Sequence, residues 1–233
     1  MRIGAIVQAR MSSARLPGKV LRDLCGRPML GYLLDRLARA ATLADVVVAT
    51  STNASDDAIE RFCRDEARVP CVRGPLEDVA GRFVGVLDRR PLDAFVRICA
   101  DSPLLDQRIV DAAVRLFSQG AADMVTNKTP KRFPSGQSVE VVDASVFRTA
   151  YGSMTRADER EHVTLCFYDQ PGRWRVRSLE GLTDLGAVHM AVDTEADFDR
   201  AAAMIGAMTH PHWEYSLDDL MDLRSATGAG LSR

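Results

Sequence analysis

The sequence predicts an α/β protein with a mostly parallel sheet between helices. Three observations carry this. Short β-rich runs alternate with longer segments of helical apolar spacing from the N-terminus to Asn127. The run "DVVVATS" (45–51) is continuously apolar, as a strand buried on both faces requires. The chain has 233 residues, 46% of them apolar, which suits one large domain with a sizeable core.

"IGAIVQA" reads as the first strand, followed by a polar loop and then by "MLGYLLDRLARAA" as a helix. After "DVVVATS", the segment "SDDAIERFCRDEA" reads as a helix with Ser55 as N-cap and Asp56 and Asp57 in its first turn. "PCVRG" is a short strand, "LEDVAGRFVGVLDRR" a helix and "DAFVRICA" a strand. "LDQRIVDAAVRLFSQG" is a helix stopped by Gly120, and "ADMVTN" is another strand. This order means right-handed β-α-β crossovers. From about 128 to 182 the rhythm changes: "NKTPKRFPSGQSVEVVD" is loop and strand, "RADEREHVTLCFYD" a helix and "RWRVRSL" strand-like, which reads as a small α+β lobe inserted over the sheet. "AVHMAVDT" then returns to the core, two helices close the chain, and the glycine-rich tail after Ala226 is expected to fray.

A net charge of −2 and 27% charged residues give no global basic field, so nucleic acid is not an expected partner and any anion site must be local. No apolar run approaches the length of a membrane span, and "MRIGAIVQAR" is too short in its apolar part for a signal peptide. The five cysteines are scattered with no C-x-x-C pair, pointing to a reducing cytoplasm rather than a disulfide or zinc scaffold. Cys99 reads as a buried structural thiol.

In parallel sheets the ligand crevice lies beyond the carboxyl ends of the strands. That rim collects the loop 9–19, "ATSTN" and "ADSPLLD". The loop, within "QARMSSARLPGKVL" (8–21), crowds Arg10, Arg15 and Lys19 beside two serines and Gly18. Backbone N–H groups, guanidinium forks and a mobile ammonium make an anion cradle suited to phosphates; a solvated charged loop is the plain alternative. Neither the P-loop pattern GxxxxGK(S/T) nor the dinucleotide fingerprint GxGxxG is present here.

The stretch "QARMSSARLPGKVL" resembles the signature of the CMP-sugar synthetase-like cytidylyltransferases, the superfamily of acylneuraminate and CMP-KDO synthetases. It is most similar to the SpsF-like branch of spore-coat polysaccharide biosynthesis proteins. Further matches follow in order: "GRPML", "VVVATS", "DD", "RGPLEDVAGRF", "FVRICADSPLLD", "DMVTN", "PSGQSVEV", "DEREHVT" and "HMAVDTEADF". The resemblance implies a three-layer, Rossmann-like nucleotidyltransferase (GT-A-like) sheet. The implied activity is Mg²⁺-dependent transfer of CMP from CTP to a small anionic acceptor with release of pyrophosphate, and the implied assembly is a homodimer.

Asp101 and Asp193 each end an expected strand and are the candidate metal ligands; helix N-caps are the alternative, which the family pattern outweighs. Asp197 lies a turn into a helix and reads as surface charge. Displacement at the α-phosphorus piles charge on the pyrophosphate, which Mg²⁺, Arg15 and Lys19 would neutralise. By resemblance, groups around Gln8, Ala9, Arg10, Ala49 and Thr50 read the cytosine edge. Arg73, with Asp78 nearby, is either part of that wall or a turn and surface ion pair.

In "DEREHVT" (158–164) only one or two side chains of a helix can face a ligand. Resemblance favours Arg160, Glu161 and His162 as acceptor contacts over a solvated acidic helix start. His189 reads as a core histidine. Lys128, Lys131 and Arg132 either meet an acidic acceptor or form a mobile basic loop. Relatives usually read "PDGLDVE" where this chain has "PSGQSVE": Ser135 and Ser138 replace carboxylates, leaving Glu140 as the acceptor-binding carboxylate and implying a more anionic or differently hydroxylated acceptor. The acceptor implied is a sugar acid or related surface-polysaccharide precursor, with a phosphonate or other phosphorylated compound as the alternative. A nucleotide-sugar glycosyltransferase would require a D-x-D motif, whereas "ADSP" has one aspartate followed by serine and proline. A non-catalytic nucleotide-binding regulator is disfavoured by the presence of all three cations and both aspartates.

Overall fold

The computed structural model describes residues 1–181 and 183–228. The elements are β1 (Ile3–Gln8), β2 (Asp23–Leu24), β3 (Arg27–Pro28), α1 (Met29–Leu37), β4 (Asp45–Ser51), α2 (Asp57–Phe62) and β5 (Cys71–Gly74). They continue as α3 (Val79–Arg89), β6 (Ala94–Cys99), α4 (Gln107–Ser118), β7 (Met124–Thr126), β8 (Glu140–Asp143) and α5 (Ala144–Gly152). The remainder is α6 (Ala157–Glu161), α7 (Leu165–Asp169), β9 (Val176–Ser178), α8 (Glu195–Gly206) and α9 (Leu217–Ala226).

Seven strands form one sheet in the order β5-β4-β1-β6-β8-β7-β9, and β2 and β3 make a separate two-stranded ribbon. Pairings within β5-β4-β1-β6 and between β7 and β9 are parallel, whereas β8 is antiparallel to both its neighbours. Side chains alternate across the sheet with period two. Ile3, Ala5 and Val7 of β1 pack with Leu30 and Leu33 of α1, Val110 of α4 and Phe198 of α8. Ile6, Val47 and Phe95 pack on the other face with Phe83 of α3, Phe147 of α5 and Phe167 of α7. Phe95 lies between Phe83 and Phe147, with ring centroids 5.4 and 5.0 Å away. The sheet is therefore sandwiched as the apolar runs predict. None of the described helices is long and apolar enough to cross a membrane.

Several expectations are corrected. Ser55 does not cap a helix: it lies in a 3-10 turn (Ala54–Asp56), and the expected single helix runs on through α2 into a π turn (Cys63–Ala67). Arg68 takes φ +56° there, and the Cys63 carbonyl accepts from Val69 N before Pro70 stops the chain. The helix expected over "RADEREHVTLCFYD" breaks into α6 and α7 at Val163, which has φ +45°. The segment 128–182 shares its strands β8 and β9 with the main sheet, because "EVVD" finds β6 as a partner. "AVHMAVDT" is no strand; it makes one bridge, Ser135 to His189. The tail expected to fray lies, from residue 229 on, outside the described residues.

Candidate active site

The carboxyl ends of β1 and β6 open onto a cleft of about 290 Å³, lined by Gln8, Ala9, Arg10 and residues 13–15 and 19–20 on one side and by 99–101 and Asp193 on the other. The cationic loop is shaped by its own backbone. Ser13 N and Gly18 N both donate to the Met11 carbonyl, and Gly18 takes φ +74°, a turn that favours glycine. A 3-10 turn (Lys19–Leu21) then carries Lys19 inward until it is only 8% exposed.

There its ammonium donates to the Val192 carbonyl at 2.6 Å and to Asp193 Oδ1 at 3.2 Å, and lies 4.0 Å from Asp101 Oδ2. Arg15 reaches the same Asp193 oxygen at 3.1 Å. The two aspartate segments are tied to each other by Val192 N donating to the Asp101 carbonyl at 2.8 Å. Enclosure raises the Asp101 carboxyl above its ordinary range, opposed by Lys19 and by the Ser102 hydroxyl. Asp197, expected as surface charge, is instead buried. It closes a capping box with Thr194 and accepts from Asp193 N at 3.1 Å, holding the aspartate loop. His189 is half-exposed rather than in the core, with Nε2 3.7 Å from both Asp193 and Asp197.

Two carboxylates from separate segments, converging on one buried ammonium beside an open cleft, fit Mg²⁺. That ion prefers a few carboxylates plus substrate phosphate oxygens and water to a full protein cage. No cluster of three or more acidic, histidine or cysteine ligands occurs among the described residues.

The nucleotide-side expectations divide. Gln8, Ala9 and Arg10 line the cleft. Ala49 and Thr50 are fully buried beneath it: the Ala49 carbonyl accepts from Ala9 N, and the Thr50 hydroxyl is enclosed with no partner. Arg73 does not line the cleft. Its guanidinium is occupied by Asp57 at 2.6 Å, Glu60 at 3.0 Å and the Ser51 and Asn53 carbonyls, the ion-pair alternative. Asp78 caps α3 through Gly81 N and accepts from Tyr151 and Arg160. Cys99 is not buried as expected but lines the cleft partly exposed, and its enclosed surroundings push its thiol up to about 11.

On the acceptor side, Glu161 alone of the "DEREHVT" candidates reaches the cationic loop, pairing with Arg10 at 3.0 Å. Arg160 is engaged by Asp78 at 2.8 Å, and His162 is exposed. Glu140 is not a free carboxylate: only 2% exposed, it accepts from Arg97, Thr164 and Tyr168, and Lys128 lies 3.5 Å away. Lys131 and Arg132 are exposed.

Two residues have roles that the sequence alone does not show. Asp56 is fully buried; its Oδ1 accepts from Met11 N at 2.7 Å, and its Oδ2 accepts from the Ser51 hydroxyl at 2.5 Å. It thereby fastens the cationic loop to the end of β4. Arg97, on β6, links Glu140 to Gln8. The only signal for Arg97 was a charge inside the apolar run "AFVRIC".

The cytidylyltransferase family profile matches residues 4–211. The spore coat polysaccharide biosynthesis protein SpsF of Bacillus subtilis is 32% identical, over 85% of this chain and 84% of that protein. The 3-deoxy-manno-octulosonate cytidylyltransferase of Geobacter sulfurreducens is 33% identical over 52% of this chain and 48% of its own. A cytidylyltransferase structure from Leptospira borgpetersenii superposes with a TM-score of 0.93 at 26% identity, covering 100% of this chain and 99% of that one. The cleft, its cationic loop and this match along nearly the whole length agree: the chain belongs to the cytidylyltransferase family of nucleotidyltransferases.

Proposed function

We propose that this cytidylyltransferase transfers CMP from CTP to a sugar acid used in a surface polysaccharide, with Mg²⁺ and release of pyrophosphate. The observation that carries the chemistry is the meeting of Lys19, Arg15, Asp101 and Asp193 at one end of the cleft. The acceptor class is supported by the likeness to SpsF and to a sugar-acid cytidylyltransferase.

Arg15 and Lys19 would hold the β- and γ-phosphates and draw charge toward the leaving pyrophosphate. Asp101 and Asp193 would hold Mg²⁺, which when bound neutralises phosphate charge and orients the reacting groups. Asp56 and Asp197 keep the two loops in register, so little reorganisation is needed when the triphosphate arrives. The acceptor oxygen must lose a proton; the Lys19 amine is engaged by the Val192 carbonyl and Asp193, so that proton goes to solvent or to a carboxylate at the cleft.

One observation favours a more anionic acceptor, such as a phosphonate. Glu140, the carboxylate left in "PSGQSVE", is neutralised by Arg97 and Lys128 instead of facing the cleft. The test is pyrophosphate release from CTP with Mg²⁺ against a panel of 2-keto sugar acids and phosphonates. Turnover with a sugar acid, lost on chelation, is expected. Turnover only with phosphonates moves the acceptor class, and stabilisation by UDP-sugars but not by CTP overturns the reading.

A further inference from the structure

At the floor of the cleft, Gln8 ends β1 beside Cys99 of β6, and Arg97 lies two residues earlier on β6. The Arg97 side chain is 9% exposed. Its Nε donates to Gln8 Oε1 at 3.0 Å, and its NH1 donates to Glu140 Oε2 at 2.7 Å and to Thr164 Oγ1 at 3.1 Å. Glu140 is held in turn by the Tyr168 hydroxyl at 2.5 Å and the Thr164 hydroxyl at 2.9 Å. The register pairs Arg97 with Glu140 across β6 and β8, so both are fixed by sheet backbone as well as by charge.

A guanidinium has only donors, so the group it meets on Gln8 must be the amide oxygen. That settles the polarity of the Gln8 amide: the oxygen faces Arg97 and the NH₂ faces away. Among the described residues Gln8 Nε2 has no protein partner, and Gln8 lines the cleft. Arg10 and Lys19, on the same wall, also offer only donors.

We infer that Arg97 is a positioning residue that fixes Gln8 as a hydrogen-bond donor to the acceptor edge of the cytosine ring. This rests on the CTP reading above. O2 accepts in both pyrimidines, but N3 accepts in cytosine and donates in uracil, so a donor aimed at N3 that cannot turn over favours cytosine. A free glutamine would present either end and could satisfy both bases. The Glu140–Arg97 pair removes that freedom, and this gives a role to a buried ion pair that a catalytic assignment leaves without one.

The test is calorimetric titration of the full-length protein with CTP and with UTP, each with Mg²⁺. If the wild-type protein does not bind CTP, the CTP reading itself fails, independently of Gln8. If it does, Gln8→Met weakens CTP about tenfold, the loss of one hydrogen bond to a partly enclosed group. Gln8→Glu, which offers a carboxylate oxygen to the ring, lowers the CTP-to-UTP preference further. Arg97→Lys, which keeps a charge for Glu140, weakens CTP in the native background and adds nothing in the Gln8→Met background. Equal cost of Arg97→Lys in both backgrounds means a merely structural role and overturns the inference, as does unchanged CTP affinity in Gln8→Met. If Arg97→Lys does not fold, the side-chain amide of Gln8 in the wild-type protein decides by NMR. Its NH₂ resonances must move when CTP is added, and unmoved resonances overturn the inference.

Discussion

The ammonium of Lys19 lies 3.2 Å from Asp193 Oδ1 and is held from behind by the Val192 carbonyl at 2.6 Å. One cation thus anchors the loop after β1 to a segment over 170 positions later in the chain. Lys19→Met removes the charge that offsets both aspartates and that would meet phosphate in the proposed reaction. It is expected to lower kcat/KM for CTP at least ~100-fold, as loss of a preorganised charge on a reacting phosphate does. Steady-state pyrophosphate release measures it, with circular dichroism confirming the fold; a fall of less than threefold removes Lys19 from the reaction.

Asp56 fastens the cationic loop without lining the cleft, so its loss acts through loop geometry. Asp56→Ala removes the acceptor of Met11 N, Ser51 N and the Ser51 hydroxyl and is expected to cost ~1–3 kcal/mol of stability. KM for CTP should rise while kcat changes less. Urea melts and steady-state kinetics read the two effects separately.

Gly136 sits at φ +91°, and a Cβ there would come 2.6 Å from Ala191 N, two residues before Asp193. Gly136→Ala must push that backbone away, at a cost of ~2 kcal/mol or more. The expected result is a lowered Tm together with a higher Mg²⁺ requirement for turnover. A lowered Tm with unchanged Mg²⁺ dependence would show that Asp193 is positioned without this contact.

His212 is buried against Tyr32, and burial, aided by Arg36 and Arg27, pushes its imidazole down to about 4. The folded protein therefore leaves it neutral down to about pH 4, while the unfolded chain protonates it below about pH 6.5. More protons bind to the unfolded state in that window, so stability falls as pH drops from about 6.5 toward 4, by as much as ~3 kcal/mol from this group. Equilibrium unfolding at a series of pH values should show a shallower acid slope for His212→Gln.

Much of this could be read from the residues. Apolar runs such as "DVVVATS" can only be doubly covered strands, and the rim rule then placed the cationic loop beside Asp101. Asp193 lies at the same rim, although the strand expected to end there is only a bridge. Other features depend on partners that local sequence does not name. Four residues, "EVVD", carry no sign of the direction in which they pair. Glu140 and Arg73 look like candidate ligands until the cations and carboxylates that engage them are seen. Asp56 looked like a helix-start residue because its partners, Met11 and Ser51, belong to another loop and a strand end.

The reversed direction of β8 carries a practical consequence. Because it runs against its neighbours, its entry and not its exit stands at the functional rim, with Glu140 beside Arg97. In the chain that leads into it, residues 129–132 are exposed and free to vary, whereas Gly136, Gln137 and Val139 are fixed against the core and the aspartate loop. Engineers testing the proposed second substrate should vary that exposed part of the lead-in and leave β8 intact.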